Sequence, residues 1–210
     1  MPLEVRDGLA EDGTRFAEIE HYAYKDNPMS PILFPGPFPG DVLAKRAEGL
    51  VENKKTDPQV RWFKVVDTDT NEVIGWAQWE IIDGPKAVQS KDRTFGPGCN
   101  VEACEEYFGN IHKKRHELMD GKHYALLNLL QADPKHRRRG IGSLLIQQGL
   151  KLADELRIPA YLESSPMGHS LYQKHGFKDV DVFEMDPRFN YAEGADPRIW
   201  FMLRDVPVEA

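Results

Sequence analysis

The sequence predicts an α/β protein: a mixed β-sheet with helices on both faces. Three observations predict it. "HYALLNLLQADP" (123–134) is a nearly continuous apolar run closed by Pro134, the pattern of a central strand buried on both sides. A helical stripe (141–157) and another strand (160–165) follow it, and a strand–helix–strand unit of this length makes a right-handed parallel crossover. Upstream, "QVRWFKVVDTDTNEVIGWAQWEII" (59–82) holds two strands around a turn at "DTDTNE", which pair antiparallel.

The remaining elements follow in order. "LEVRDGL" (3–9) reads as a short first strand, and "AEDGTRFAEIEHYAYKD" (10–26) carries Phe16, Ile19 and Tyr22 at helical spacing. "NPMSPILFPGPFPGD" (27–41) has five prolines, which excludes a helix interior or a central strand. It reads as a semi-rigid loop displaying Ile32, Leu33, Phe34 and Phe38, either as a clasp over the core or as a wall of a substrate pocket. Residues 41–55 read as a second helix. In the second strand of 59–82, Val73, Gly75, Ala77 and Trp79 share one face, while Ile74, Trp76, Gln78 and Glu80 share the other. Residues 83–100 form a polar loop and 101–121 a charged surface helix. The helix at 141–157 lines up Ile141, Leu144, Leu145, Leu152 and Leu156, with Pro159 just beyond. "AYLESS" (160–165) is a strand and "PMGHSLYQKHGF" (166–177) a short helix ended by Gly176. "VDVFEMD" and "PRIWFMLRD" supply two last strands.

Composition narrows the function. Of 210 residues, 40% are apolar, enough for a sizeable core. Acidic residues outnumber basic ones, 34 to 27, which argues against nucleic acid as the main partner and is compatible with an amine substrate. The two cysteines, Cys99 and Cys104, lack a CxxC spacing, so a disulfide framework is not expected. The N-terminus has neither an apolar signal core nor transit-peptide character, and no apolar run approaches the roughly 20 residues that span a bilayer. These features predict a cytoplasmic protein (a nuclear one is the alternative) without a membrane partner. His112 and His116 lie four apart on a helix, but they lack the glutamate of HExxH and a third ligand, so no metal is expected. Oligomeric state is left open.

The chemistry concentrates in "HRRRGIGSLL" (136–145). A strand that ends in a glycine turn and feeds a helix gathers backbone N–H groups at one point, and the helix dipole adds positive charge there. Gly140 and Gly142 lack a Cβ, so a phosphate could approach closely. Two familiar phosphate loops are excluded: GxGxxG would need glycine where Leu145 stands, and the Walker pattern is absent.

"LLQADPKHRRRGIGSLLIQQGL" resembles the acetyl-coenzyme A signature of the GCN5-related N-acetyltransferase (GNAT) superfamily. The pattern, [Q/R]-x-x-G-x-[G/A] between an apolar strand and a helix, falls on Arg137, Arg138, Arg139, Gly140, Ile141 and Gly142. "SLYQKHGF" (170–177) resembles the family's LYxKxGF segment, and the two are separated as in the family. The resemblance implies one N-acetyltransferase domain over 1–210. Its acetyl-CoA core would lie at about 123–180, and variable acceptor-side segments at 27–56 and 83–121. The fold it implies has a central mixed sheet whose two parallel strands splay apart.

The resemblance also implies site roles. Backbone N–H groups from about Arg138 to Ser143 would bind the pyrophosphate, with charge from the arginines. Leu130, Gln131 and Ala132 would pair by backbone with the pantetheine arm, and an N–H near Leu130 would polarise the acetyl carbonyl. Tyr172 would protonate the leaving thiolate. Ser165 stands where the family often has an asparagine. Relatives place a glutamate or histidine base at positions that here are Leu126 and Asn128. Leucine cannot serve, whereas Asn128 could orient a relay water. Glu80 and His123 are alternatives. The acceptor pocket is expected from the loops at 27–41 and 83–100, with Phe34 and Phe38 as contacts. The expected activity is acetyl transfer from acetyl-CoA to a primary amine by direct attack. Rival readings are a CoA-binding protein with little catalysis and a basic-loop interaction module.

Overall fold

The structure is a computed structural model that describes residues 2–84, 94–189, 191 and 195–207. Seven strands form one sheet: β1 (Leu3–Asp7), β2 (Val60–Asp67), β3 (Glu72–Ile82), β4 (Tyr124–Ala132), β5 (Ala160–Ser164), β6 (Lys178–Glu184) and β7 (Arg198–Arg204). Their spatial order is β1-β2-β3-β4-β5-β7-β6. β4 and β5 are parallel, and every other neighbouring pair is antiparallel. Among the described residues six α-helices pack around the sheet: α1 (Gly13–Tyr24), α2 (Ser30–Leu33), α3 (Val42–Thr56), α4 (Val101–Met119), α5 (Ile141–Glu155) and α6 (Pro166–Lys174). The mixed sheet flanked by helices matches the expected fold class.

The helices divide between the faces. α5 lies on one face, where Ile141, Leu145, Ile146, Leu150 and Ala153 pack on Ala77, Trp79, Leu127 and Leu162, and α6 joins it through Leu171 and Tyr172. On the other face α1 and α3 bury Phe16, Ile19, Ala47 and Leu50 against Trp62 and Trp76. Beside them the end of α4 covers Tyr124, Leu126, Tyr161 and Phe201 through Met119.

Several details depart from the sequence reading. The proline-rich segment includes a short helix, α2, because Pro31 sits in its first turn, where a missing N–H costs nothing. α4 is not merely a surface helix: Ala103, Cys104, Ile111 and Met119 are buried, and the Cys104 thiol donates to Leu33 O at 3.2 Å. Two bulges break strict alternation. In β3 the register steps from Val65↔Gly75 to Val66↔Val73, so Ile74 is the extra residue. It swaps the expected faces, placing Ile74 in the α5 cluster and Val73 in the α1/α3 cluster. In β4 the register steps from Gln78↔Leu129 to Trp79↔Leu127, and Asn128 is the extra residue.

Candidate active site

The turn between β4 and α5 is held from three sides. Asp133 caps the backbone N–H of Lys135 at 3.0 Å and accepts from Arg15 at 2.7 Å. Burial acts to raise its carboxyl pKa, but the Lys135 N–H and Arg15 override it and hold the group below its ordinary range. Within the turn Arg138 (φ 65°) and Gly140 (φ 80°) are both left-handed. The space around Gly140 is open, so backbone conformation rather than crowding demands glycine there. Leu144 N–H bonds back to Gly140 O at 3.1 Å, which leaves the N–H groups of Ile141, Gly142 and Ser143 as the unpaired first turn of α5. That is a helix N-terminus able to receive an anion. Gly142 has a reason the sequence did not reveal: a Cβ there would stand 2.8 Å from Leu171 Cδ2, so it admits α6. Ser143 Oγ lies 3.1 Å from His175 Nε2.

The three arginines have different fates. Arg137 is exposed and reaches Asp26 at 2.9 Å. Arg138 is exposed. Arg139 corrects the expectation of three phosphate-facing charges. Its guanidinium pairs with buried Asp67 at 2.8 Å, and its Nη1 lies 2.8 Å from His136 Nδ1. Arg139 holds the Asp67 carboxyl below the usual range. Its side chain therefore anchors the turn to the end of β2.

Beside the turn the sheet forks. β4 and β5 pair at Ala125↔Ala160, Leu126↔Tyr161 and Leu127↔Leu162, and no further. β4 runs on for five more residues, to Ala132. Asp133 N–H bonds to Ile74 O, so Asp133 belongs to a hydrogen-bonded pair with β3. Antiparallel pairs alternate, so Gln131 and Leu129 also turn their backbone groups to β3, while Leu130 and Ala132 turn theirs into the fork. This corrects the reading of Gln131 as a backbone partner for pantetheine. Its side chain instead reaches Tyr24 Oη at 3.4 Å.

Polar side chains collect at the fork on the α1/α4 face. The Asn128 amide donates to Glu80 Oε1 at 2.7 Å, and Gln78 Nε2 donates to the same oxygen at 2.8 Å. Glu163, one residue past the last β4–β5 pair, takes a bidentate hold from Arg115 of α4, at 2.7 and 2.8 Å. Burial pushes the Tyr124 phenol up to about 12, against the pull of nearby Arg115. Tyr172 comes from α6 on the opposite face, its ring 6.1 Å from that of Phe177. Burial, then the nearby Tyr24, raise its phenol well above the ordinary value; Tyr107 is raised by burial and by the same Tyr24. Tyr24 Oη in turn accepts from the Gln131 side chain of β4.

A cavity of about 430 Å³ adjoins the fork, lined among others by Asp26, Met29, Tyr107, Ser165, Met167 and Ile199. Phe34 and Phe38, expected as acceptor contacts, are not among its walls. Phe34 is packed against Phe108, centroids 6.3 Å apart, and Phe38 closes on Gly98. Neither lines the cavity; residues 27–29 of the same segment do, with Asp26 just before it. Of the expected loop at 83–100, residues 85–93 lie outside the described residues. His123 is exposed at the far end of β4 from the fork, so it is removed as a base. Leu126 is buried, as leucine requires. Sequence reasoning missed Glu163, Arg115 and Tyr107. One signal was available: Glu163 is the lone charge in an otherwise buried strand. Arg115 and Tyr107 sit among many polar neighbours on α4 and carried none. No helix among the described residues is long and apolar enough to cross a membrane, and no group of three metal-ligating side chains occurs among them.

A strand fork opening beside a glycine turn and a helix N-terminus defines an acetyltransferase architecture, and comparison with known proteins agrees. The sequence profile of the acetyltransferase (GNAT) domain matches residues 103–179. A probable acyltransferase, SID5, of Ajellomyces capsulatus is 45% identical over 132 residues, covering 63% of this chain and 67% of that one. Among solved structures, the C-terminal condensation domain of Ebony in complex with β-alanyl-dopamine superposes with a TM-score of 0.70 at 14% identity, covering 98% of this chain and all of that one. The PaiA N-acetyltransferase of Thermoplasma acidophilum, in complex with coenzyme A, superposes at 0.54 with 16% identity, covering 98% and 99%. This chain belongs to the GNAT acetyltransferase family, and it is an acyltransferase.

Proposed function

We propose that the chain transfers the acetyl group of acetyl-CoA to a primary amine by direct attack. The observation that carries this reading is the fork itself. It ends at a bulge, Asn128, and lies between a helix N-terminus on one side and a small cavity with ionisable walls on the other. The first-turn N–H groups of α5 and the backbone of Arg138 to Gly140 would take the pyrophosphate, with Arg137 adding charge from the rim. The backbone groups of Leu130 and Ala132 face the gap where an extended pantetheine would add as a strand. The Leu130 N–H would donate to the acetyl oxygen as negative charge develops there. Ser165, at the start of α6, lines the cavity and would contact the arm.

The amine nitrogen forms a C–N bond to the acetyl carbon as the C–S bond breaks. A proton leaves the nitrogen to the Glu80 carboxylate, which Asn128 holds at 2.7 Å. Tyr172 supplies a proton to the departing thiolate; its raised pKa keeps the phenol protonated at neutral pH. The cavity is within the size range of small-molecule sites, about 300–1,000 Å³, which favours a small amine over a folded protein as acceptor.

The test is release of free CoA thiol from acetyl-CoA with tyramine, spermidine, lysine amide and a short peptide as acceptors, alongside calorimetric titration of acetyl-CoA. Amine-dependent turnover supports the reading. Binding without turnover for any amine favours a CoA-binding protein with little catalysis, which the buried Leu126 at a frequent base position motivates. No binding of acetyl-CoA would overturn both.

A further inference from the structure

A chain of side chains with a forced direction runs from the core to the fork. Trp62 Nε1–H donates to Gln78 Oε1 at 2.9 Å. Gln78 Nε2–H donates to Glu80 Oε1 at 2.8 Å, and Asn128 Nδ2–H donates to the same oxygen at 2.7 Å. All four residues lie on the α1/α3 side of the sheet, and Trp62 and Gln78 are 1% and 3% exposed. The indole nitrogen can only donate. It therefore dictates which end of the Gln78 amide is oxygen and turns the nitrogen toward Glu80. A carboxylate can only accept, so Asn128 must also present nitrogen to it. Its carbonyl oxygen is left pointing away from Glu80.

The other tryptophans show that this arrangement is specific. Trp76 and Trp79 are as deeply buried on β3, and their indole N–H groups find no partner among the described residues. Of these three indoles, the one aimed at the fork network is the one that is satisfied. Gln78 also cannot easily turn elsewhere: its second N–H points to Asn53 of α3 at 3.4 Å, too long to compete. Among the described residues two acceptor positions then remain without a hydrogen-bond donor, Asn128 Oδ1 and Glu80 Oε2.

We propose that Trp62 and Gln78 are positioning residues that hold these two oxygens as a paired acceptor site for the two N–H hydrogens of a primary amine. In the neutral form that attacks, a secondary amine has a single N–H and can satisfy only one of the two, so the site discriminates against it. This rests on the acetyl-transfer reading, and it adds what selects the acceptor. Trp62 and Gln78 act through Glu80 and Asn128 and touch neither substrate.

The experiment compares the wild type with Trp62→Phe, which keeps an aromatic ring in the core but releases the Gln78 amide to rotate. Acetyl-CoA is used with the best primary amine of the panel above and with its N-methyl derivative. Trp62→Phe is expected to lower kcat/KM for the primary amine about tenfold, the weight of one oriented hydrogen bond, and to leave the acetyl-CoA KM within about twofold. The preference for primary over N-methyl amine should narrow. Gln78→Met provides the second variant. The double variant should be no worse than Gln78→Met alone, because Trp62 acts only through Gln78. A purely structural role would lower both amines equally and make the two substitutions additive, which would overturn the proposal. ¹⁵N NMR of the Asn128 side-chain amide gives a readout without turnover. It should shift in both variants, and an unmoved resonance sinks the chain. A shifted resonance with no turnover in the wild type counts against acetyl transfer and leaves the chain standing.

Discussion

The two sides of the β4–β5 fork are built on different principles. On the α5 side the site is made of backbone: left-handed Arg138 and Gly140, the free N–H groups of Ile141 to Ser143, and the fork-facing groups of Leu130 and Ala132. On the α1/α4 side it is made of side chains, contributed by β3, β4, β5, α1 and α4, whose carboxylates are held by Gln78, Asn128 and Arg115. A backbone site needs a local motif, a few residues long. A side-chain site needs distant segments to arrive together. The first half is thus specified by a short segment, whereas the second depends on sheet register and on the docking of α1 and α4.

The sharpest break of this contrast is on the side-chain half. Glu163→Ala leaves Arg115 buried without its partner, which typically costs about 3–5 kcal/mol. The melting temperature should fall by many degrees, and the paired change Arg115→Leu with Glu163→Leu should recover much of it. If Glu163→Ala melts like the wild type, the ion pair does not organise this face. The next largest effect tests the chemistry. Tyr172→Phe keeps the ring and its contact with Phe177, and it should lower kcat about 10²-fold while acetyl-CoA affinity changes little. Near-normal kcat, measured where chemistry limits turnover, would remove the phenol from the reaction.

Two smaller effects probe the backbone half. Gly140→Ala forces a Cβ into a left-handed residue at about 1–2 kcal/mol, and acetyl-CoA binding should weaken as the first turn of α5 shifts. Calorimetry on the folded variant decides this. The mildest is a comparison of neighbours. Arg137→Ala should weaken acetyl-CoA binding a few-fold and flatten its salt dependence. Arg139→Ala should instead lower the melting temperature, because it releases Asp67. The same pairing sets a pH dependence. Asp67 and Asp133 both titrate below their ordinary value, so their contribution to stability is complete above an unfolded pKa of about 3.9. It is lost as pH falls through their lower folded values. Thermal melts from pH 6 down to pH 3 should show the loss, and it should be smaller in Arg139→Ala.

The uneven legibility of the two halves follows from the same contrast. The apolar run at 123–134, Pro134 and the two glycines announced the strand, the turn and the helix, because each signal is local. Even there Gly142 was misread in part: its packing against Leu171 depends on α6, 29 residues on. Arg139 looked like its neighbours until Asp67, at the end of β2, took it. Phe34 and Phe38 looked like pocket walls because they stand in a loop, yet tertiary packing turned them into the α2–α4 cluster and onto Gly98. The bulge at Asn128 was invisible, since a one-residue offset appears only when β4 is laid against β3.

The sequence alone determined the order of the main strands and helices, the parallel crossover and the glycine turn that opens α5, because periodicity, proline and glycine act over a few residues. Only the tertiary structure decided which carboxylates face the fork, which arginine is committed to the fold, and where the cavity lies. Those outcomes depend on strand register and helix docking. A shift of one residue at Ile74 or Asn128 changes the face to which each following side chain belongs.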